Sequence, residues 1–191
     1  MRTFFGDMWI PFLLGLLLVV CPFLLIKIYS DYKTKSELSK VGVVFAYIIF
    51  GLFCMTIINT THYPKWVFAP DNILYDVFGY IFIVSGIIIL AEALFEFNSY
   101  KRIFFLTNSG LKADKVISTG VYRFSRNPQY IAYHLLLIGY ALPSMSIIPL
   151  ILILIHIMII GLIIVPGEEK YLEKILGDEY IQYKKRVRRW L

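Results

Sequence analysis

The stretch that decides the fold is NPQYIAYHLLLIGYALPSMSIIPLILILIHIMIIGLIIVPG, residues 127–167, which has 41 residues and no Asp, Glu, Lys or Arg. One crossing of a bilayer needs about 20 apolar residues, so this run is long enough for two crossings. Two prolines and two serines interrupt it near its middle, at Pro143, Ser144, Ser146 and Pro149. We therefore predict a tight hairpin of two transmembrane helices, at residues 127–142 and 147–166.

Three earlier runs are apolar, and we predict a membrane-spanning helix in each, at residues 8–26, 41–61 and 74–97. The first two contain no charged residue, and the third is uncharged from 77 to 91 and continues past Glu92 and Glu96. The chain as a whole is 59% hydrophobic and only 17% charged, which is far from the balance of a soluble domain. The predicted fold class is all-α: a polytopic transmembrane helical bundle of about five spans. We expect one integral membrane domain over residues 1–191, with a C-terminal helical hairpin and cytoplasmic amphipathic helices.

The basic residues predict the orientation of this bundle. In the five-span arrangement, 17 of the 19 Lys and Arg residues lie on one side, within residues 27–40, 98–126 and 168–191. Because cytoplasmic loops carry the excess of Lys and Arg, we predict an N-terminus outside and a cytoplasmic C-terminus. Attraction to anionic lipid of the inner leaflet then explains the net charge of +6. We recognise no nucleic-acid-binding module in the sequence.

The segment Arg126-Asn127-Pro128 has the features of a helix start. Asn is a good N-cap, and Pro suits the first helical position because its missing N–H would have no partner there. A helix that begins here presents unpaired backbone donors and a positive dipole end beside Arg126, which together favour an anionic group. The alternative is a plain helix cap next to an interfacial arginine.

Ionisable side chains inside the predicted spans are candidate functional residues. Glu92 and Glu96 lie one turn apart, and they either form structural ion pairs with loop arginines or line a pocket that faces a cation. His134 and His156 are either hydrogen-bonded packing residues or groups that meet a ligand. We retain Glu92 and His134 as candidate substrate-contacting residues.

The acidic pair Glu168-Glu169 follows Pro166-Gly167 and lies in the first turn of a helix that we predict to end near Leu176. A second short helix is predicted from Glu179 to Arg186. Two acidic residues in a first turn suit the helix dipole without further function. Alternatively, together with the helix start at Asn127, they hold a ligand that has both an anionic and a cationic end.

Four motifs in the C-terminal half resemble a known family: STGVYR (118–123), RNPQY (126–130), the acidic pair (168–169) and GDEYIQY (177–183). Their order and spacing are similar to those of the isoprenylcysteine carboxyl methyltransferases, which belong with the phospholipid N-methyltransferases. The resemblance covers residues 92–190. It implies a membrane-embedded enzyme that uses S-adenosyl-L-methionine as its cofactor.

The resemblance also implies which residues contact that cofactor. Carried over position by position, they are Asp114, Lys115, Val116, Ile117, Tyr122, Asn127, Pro128, Gln129, Tyr130, Glu168 and Glu169. The chemistry agrees, because the cofactor has a carboxylate, an ammonium, a cationic sulfonium and a flat adenine. These groups match a helix start with Arg126 beside it, a carboxylate pair and aromatic walls.

The chain departs from the family pattern at two positions. The family's histidine before the proline is Asn127 here, which cannot titrate near neutrality, so a mechanism that uses this residue as a base is excluded. The family's substrate-binding arginine, a few residues before the acidic pair, aligns with Ile164. A free carboxylate drawn into an apolar pocket needs a paired cation, so we expect it to be a poor acceptor.

We therefore predict a cytoplasm-facing methyltransferase that acts on a lipophilic, isoprenoid-like or lipid-like acceptor from the bilayer. The rival enzyme is a membrane reductase of the sterol-reductase type that uses NADPH, but the chain has no Gly-rich phosphate loop. A nonenzymatic membrane scaffold is the rival of another class. No metal is predicted, because His134 and His156 form no ligand pattern and Cys21 and Cys54 lie within apolar spans.

Overall fold

The computed structural model describes residues 4–35, 40–62, 67, 72–99 and 115–191. Seven α-helices lie in these ranges: α1 (Phe4–Lys35), α2 (Lys40–His62), α3 (Ile73–Ser99), α4 (Pro128–Ala141), α5 (Ile147–Ile159), α6 (Val165–Leu176) and α7 (Asp178–Arg186). Short 3-10 turns span Gly120–Arg123 and Leu142–Ser144. The all-α prediction is confirmed, since one isolated bridge between Val67 and Ser146 is the extent of β pairing in the described ranges.

Two stretches of helix are long and apolar enough to cross a bilayer, Ile73–Glu96 and Ile147–Leu176. Only 17% and 33% of their most apolar windows are buried, whereas the core helix of a soluble protein is mostly buried. A third apolar stretch, Ile48–Thr61, is shorter. Two membrane crossings are thus supported by length and composition, while the count of five spans and their orientation stay predictions.

Helices α3 and α4 pack closely because glycines face each other where they cross. A Cβ atom built on Gly139 would lie 2.6 Å from the carbonyl oxygen of Gly79, and one on Gly86 would lie 2.9 Å from Leu136. Small residues let the backbones of membrane helices approach each other without a hydrophobic driving force between them. This contact fixes α4, and with it the Asn127 start, against α3.

The main apolar core joins α1, α2, α4 and α5. Its buried members include Leu24, Ile28, Phe53, Ile57, Ile153 and Ile164. Ile164 is therefore part of the core, with 8% of its surface exposed. The side chain of Ile164 packs among apolar residues.

A π-helical turn, Ile160–Ile164, joins α5 to α6 and was not predicted. Val165 donates its backbone N–H to the carbonyl of Ile160, five residues back. Pro166 follows in the first turn of α6, where it has no N–H to offer and its ring would crowd an ordinary α turn. The wider π turn accommodates this proline, so that α6 begins and ends near the predicted residues.

Candidate functional site

The C-terminal segment lies across the start of α4. Arg126 donates its backbone N–H to the carbonyl of Arg188 at 2.9 Å. The hydroxyl of Ser125 and the side-chain amide of Asn127 both donate to the carbonyl of Arg189, each at 3.1 Å. Asn127 is the N-cap residue by position, as predicted, but its side chain ties the tail to the helix and makes no cap hydrogen bond.

From this position the side chain of Arg126 forms hydrogen bonds to the C-terminal end of α7. Its Nη1 donates to the carbonyls of Lys184 and Val187 at 2.8 and 3.0 Å, at the C-terminal end of α7. Its Nε and Nη2 donate to one oxygen of Glu169, at 3.1 and 2.8 Å. The guanidinium is thus engaged by protein groups, and its charge lies where the α7 dipole is negative.

Glu169 is the centre of a buried charge network. Its side chain is 4% exposed and pairs with Arg126 and also with Arg189, whose Nη2 lies 2.8 Å from Oε2. Lys184 Nζ lies 3.9 Å from the same oxygen. The hydrogen bond to Glu169 raises the pKa of Arg189, which keeps that guanidinium charged. A buried carboxylate with two guanidinium partners serves primarily to hold elements together.

Glu168 has different surroundings, although it is the next residue. Its Oε1 accepts a hydrogen bond from the phenolic hydroxyl of Tyr130 at 2.8 Å. In the part of the chain that the structure describes, no Lys or Arg forms an ion pair with it. Glu168 is half-buried and lines a pocket. Its carboxylate is therefore oriented but not neutralised by the protein.

This pocket, the acidic pocket, lies between the start of α4, α6, α7 and the segment before the first 3-10 turn. It is lined by Val116, Ile117, Tyr122, Arg126, Asn127, Gln129, Glu168, Glu169, Leu172, Leu176, Tyr180 and Tyr183. Eight of the twelve residues that we predicted for cofactor binding thus meet in one place. The assignment of these residues to a cofactor remains a proposal.

Of the other four predicted cofactor residues, three lie near this pocket and one lies outside the residues that the structure describes. Tyr130 and Pro128 are buried in the first turn of α4, and Tyr130 reaches the pocket wall through Glu168. Lys115 is exposed next to Val116. Asp114 lies outside the described residues.

Aromatic and aliphatic side chains line much of the acidic pocket. Tyr180 and Tyr183 have ring centroids 5.9 Å apart, and Tyr183 donates a hydrogen bond to the carbonyl of Tyr122 at 2.8 Å. Tyr122 in turn donates to the side-chain oxygen of Gln129 at 3.2 Å. Burial raises the pKa of all three phenols, so they stay neutral donors.

Four lining residues were missed by the sequence analysis: Leu172, Leu176, Tyr180 and Tyr183. Leu172 and Leu176 are four residues apart on α6, and the two tyrosines are three apart on α7. Residues at these spacings share one face of a helix. This periodicity, in the amphipathic helix that contains the acidic pair and in the one that follows it, was the signal that would have found them.

The segment before the pocket is anchored to α3 and α7. Thr119 donates to Glu96 at 2.5 Å, and the backbone N–H of Val116 donates to Glu179 at 3.2 Å. Gly120 has a φ of +53° and lies so close to Glu96 that a Cβ atom there would be 2.5 Å from its carboxylate. Glu96 therefore positions this segment, whereas Glu92 is exposed on α3 and does not line the acidic pocket.

His134 is also absent from the acidic pocket. Its Nδ1 lies 2.6 Å from the carbonyl oxygen of Tyr130 and its Nε2 lies 3.1 Å from Nδ1 of His156. His156 packs against the ring of Phe53, with centroids 5.2 Å apart. The two histidines are hydrogen-bonded inside the bundle. Within the described ranges, no group of three His, Cys, Asp or Glu side chains is arranged to hold a metal ion.

Comparison with known proteins supplies the family. A curated relative from Haemophilus influenzae, named only as an uncharacterized protein, is 49% identical over 39 residues, which are 20% of this chain and 62% of that protein. The match thus covers less than two thirds of the relative's length. No solved structure matches the chain. A family model described as phospholipid methyltransferase matches residues 74–179, more than half of the chain and all of α3 to α6 apart from the first residue of α3. The chain belongs to the phospholipid methyltransferase family.

Proposed function

We propose that the protein is a membrane-embedded methyltransferase, which moves a methyl group from S-adenosyl-L-methionine to a lipophilic acceptor at the cytoplasmic face. Membership of the phospholipid methyltransferase family supports a methyltransferase of the membrane. The observation that carries the proposal further is the state of Glu168, a carboxylate that Tyr130 orients into a pocket while Glu169 takes the neighbouring cations.

Glu168 suits the positive groups of this cofactor. An ammonium or sulfonium near an oriented carboxylate gains a charge-assisted interaction, which is about twice as strong as a neutral hydrogen bond. Glu169 cannot serve equally well, because Arg126 and Arg189 already occupy both of its oxygens. We therefore assign the ammonium of the methionine moiety to Glu168.

The carboxylate of the methionine moiety requires donors at the other side of the pocket. The four donor bonds that Arg126 makes to protein groups leave it little capacity for a ligand. The start of α4, where Asn127 and Gln129 line the pocket, offers the positive end of the helix dipole and the side-chain amide of Gln129. The backbone N–H groups of Arg126, Asn127 and Tyr130 already bond protein oxygens, so the predicted set of unpaired backbone donors is not found at these three residues. We assign the ligand carboxylate to this helix start, with Arg126 contributing through its field.

The adenine fits the remaining wall. Leu172, Leu176, Tyr180 and Tyr183 form a largely apolar surface at the end of the pocket that α6 and α7 provide. Flat aromatic ligands gain stacking and dispersion from such side chains. A pocket that combines an oriented carboxylate with aromatic and aliphatic side chains matches the cationic and flat groups of S-adenosyl-L-methionine.

In this proposal the residues of the pocket accelerate the reaction by holding the cofactor and the acceptor in place. The bound cofactor supplies an electrophilic methyl group on a sulfonium. Displacement of this methyl group by an acceptor atom would leave a neutral thioether, and the proton of an accepting N–H or O–H would go to solvent. Glu168 would hold the ammonium of the cofactor and the start of α4 its carboxylate. An enzyme accelerates such a displacement by holding the two reactants close and aligned, so no covalent intermediate is required.

The acceptor is proposed to be a lipid whose attacking atom is neutral. The resemblance to the isoprenylcysteine carboxyl methyltransferases places Ile164 where those enzymes carry a substrate-binding arginine. Ile164 is buried in the apolar core and offers no partner to a substrate carboxylate. An unpaired carboxylate inside the protein costs several kcal/mol. An amine or hydroxyl that is neutral when it attacks avoids that cost.

The experiment is a thermal shift of the detergent-solubilised protein with S-adenosylhomocysteine, compared with NADPH and NADP⁺. A ligand that binds only the native state raises its stability by an amount set by the ratio of concentration to Kd. We expect a shift with S-adenosylhomocysteine alone. A shift with the dinucleotides alone favours the reductase, and no shift with any of the three removes the support for an enzyme of either kind.

A further inference from the structure

A second pocket, the α4–α5 groove, lies apart from the acidic pocket. It is lined by Ile131, His134, Leu135, Ile138, Ile157 and Trp190. Its volume of about 260 Å³ is several times the roughly 30 Å³ that one water molecule occupies in the liquid. Four of its residues recur on one face of α4, so the groove follows the axis of that helix.

The lining of the groove is mostly apolar. Four of its six lining residues are aliphatic. His134 adds little polarity, because one ring nitrogen bonds the carbonyl of Tyr130 and the other bonds His156. A polar head group in the groove would lose its hydration without gaining partners, which costs free energy, whereas a hydrocarbon chain loses nothing of this kind.

The groove begins next to the acidic pocket and leads away from it. Ile131 directly follows Tyr130, whose hydroxyl holds Glu168. From Ile131 to Ile138 the rise along α4 is about 10 Å, at roughly 1.5 Å per residue. A chain in the groove would therefore have one end beside the wall that we assign to the cofactor.

The groove is continuous with an exposed apolar surface. Ile157 is 38% exposed, and its neighbours on the same face of α5, Leu154 and Met158, are 58% and 52% exposed. An exposed contiguous apolar surface marks a site of contact with membrane or another apolar partner. Because this helix is long and apolar enough to cross a bilayer, the partner that reaches the groove is lipid.

Trp190 connects the groove to the acidic pocket. Its ring lies against Gly161, with an atom 3.6 Å from the position of a Cβ there. The preceding residue, Arg189, holds Glu169 and accepts hydrogen bonds from Ser125 and Asn127. Trp190 thus lines the groove while its neighbour Arg189 bonds Glu169, a residue of the acidic pocket, so the indole lies close in sequence to the charges, in keeping with the usual place of Trp at a membrane surface.

We propose that the α4–α5 groove binds one hydrocarbon chain of the bilayer lipid that accepts the methyl group, with Trp190 flanking the head-group end. The inference rests on the proposed function for the identity of the acceptor. It adds the place where the acceptor's chain lies and the residue that determines how its head group approaches the methyl group of the cofactor.

The test uses a phospholipid with a diazirine in one acyl chain, incorporated in nanodiscs with the full-length protein. Leu135→Trp fills the groove, and Val84→Trp adds the same bulk on an exposed face of α3. Photolabelling of the wild type should concentrate on the groove residues. Leu135→Trp should reduce that labelling about tenfold and raise the KM for the lipid acceptor similarly, while Val84→Trp changes neither.

Binding of S-adenosylhomocysteine, measured by calorimetry on the same samples, separates the two proposals and reports folding. Unchanged affinity in Leu135→Trp together with lost labelling supports the groove. Equal labelling of the exposed face of α3 and of the groove, or unchanged labelling in Leu135→Trp, overturns it. Labelling of the groove by a wild type that does not bind S-adenosylhomocysteine contradicts the proposed function and leaves a lipid-chain site.

Trp190→Ala and Trp190→Phe supply a second test of the mouth of the groove. The alanine variant should raise the KM for the acceptor several-fold without changing the affinity for S-adenosylhomocysteine. The phenylalanine variant should have a KM close to that of the wild type, because the position requires a flat ring. An unchanged KM in both variants would remove Trp190 from the proposal.

Discussion

Tyr130 donates a 2.8 Å hydrogen bond to Glu168, one residue before the carboxylate that Arg126 and Arg189 neutralise. Consecutive residues of a helix point about 100° apart, so two adjacent glutamates enter different surroundings. Glu169 forms the ion pairs with Arg126 and Arg189 that we call the clasp, which joins the start of α4, α6 and the C-terminal segment. Glu168 is left facing the acidic pocket, held by a neutral hydroxyl.

The clasp predicts a large loss of stability when one of its charges is removed. Arg126→Met leaves the buried Glu169 with one fewer guanidinium and two helix-end carbonyls without their donor, and we expect about 3–5 kcal/mol of destabilisation. Reversible unfolding in mixed micelles measures it. Arg186→Met is the matched control, since Arg186 is exposed and should change the free energy of unfolding by less than about 0.5 kcal/mol. Equal effects of the two substitutions would refute the clasp.

The crossing of α3 and α4 makes a second prediction about stability. Gly139→Ala places a methyl group 2.6 Å from the carbonyl oxygen of Gly79, so the helices must separate, at a cost of about 1–3 kcal/mol or more. Gly51→Ala is the control, because a Cβ at Gly51 meets nothing within 4 Å. The same unfolding assay should find the second variant at least as stable as the wild type. A tolerated Gly139→Ala would contradict the close crossing.

Topology gives a third prediction, which rests on the segregation of basic residues. In a protein whose own cysteines are replaced, Ser118→Cys should react with an impermeant maleimide only after cells are permeabilised. Asn72→Cys should react in intact cells. Both positions are exposed, so accessibility to the reagent depends on the side of the membrane. The reverse pattern would contradict both the orientation and the cytoplasmic location of the acidic pocket.

The acceptor gives a fourth prediction. With Ile164 buried in the core, farnesylcysteine should be methylated slowly or not at all, and tritium from labelled S-adenosyl-L-methionine should enter extracted membrane lipids that carry an amine or hydroxyl. The unpaired carboxylate of farnesylcysteine would cost several kcal/mol on binding, which accounts for the difference. Rapid methylation of farnesylcysteine by the wild type would contradict this prediction and show that a cation elsewhere in the protein pairs with the substrate carboxylate.

The sequence was sufficient for the helices because uncharged runs and the Asn127-Pro128 start are local signals. It also named eight of the twelve residues that line the acidic pocket, through motifs whose spacing is shared with a family, and missed the four on α6 and α7 that no motif marked. It could not distinguish Glu168 from Glu169, because their difference depends on Arg189, twenty residues away, folding back over α6. The π turn before Pro166 was missed because the apolar sequence of residues 160–164 carries no local signal that distinguishes a π turn from an α turn.

The measurement that tests the central claim most directly is calorimetry of S-adenosylhomocysteine with the wild type, Glu168→Gln and Glu173→Gln. Glu173 lies on the same helix and pairs with Lys184 outside the acidic pocket, so it is the matched control. We expect binding to the wild type and to Glu173→Gln. Glu168→Gln should bind more weakly by about 1.5–3 kcal/mol, because it loses a charged hydrogen bond to the ammonium. Equal affinity of all three, or no binding by the wild type, would contradict the account.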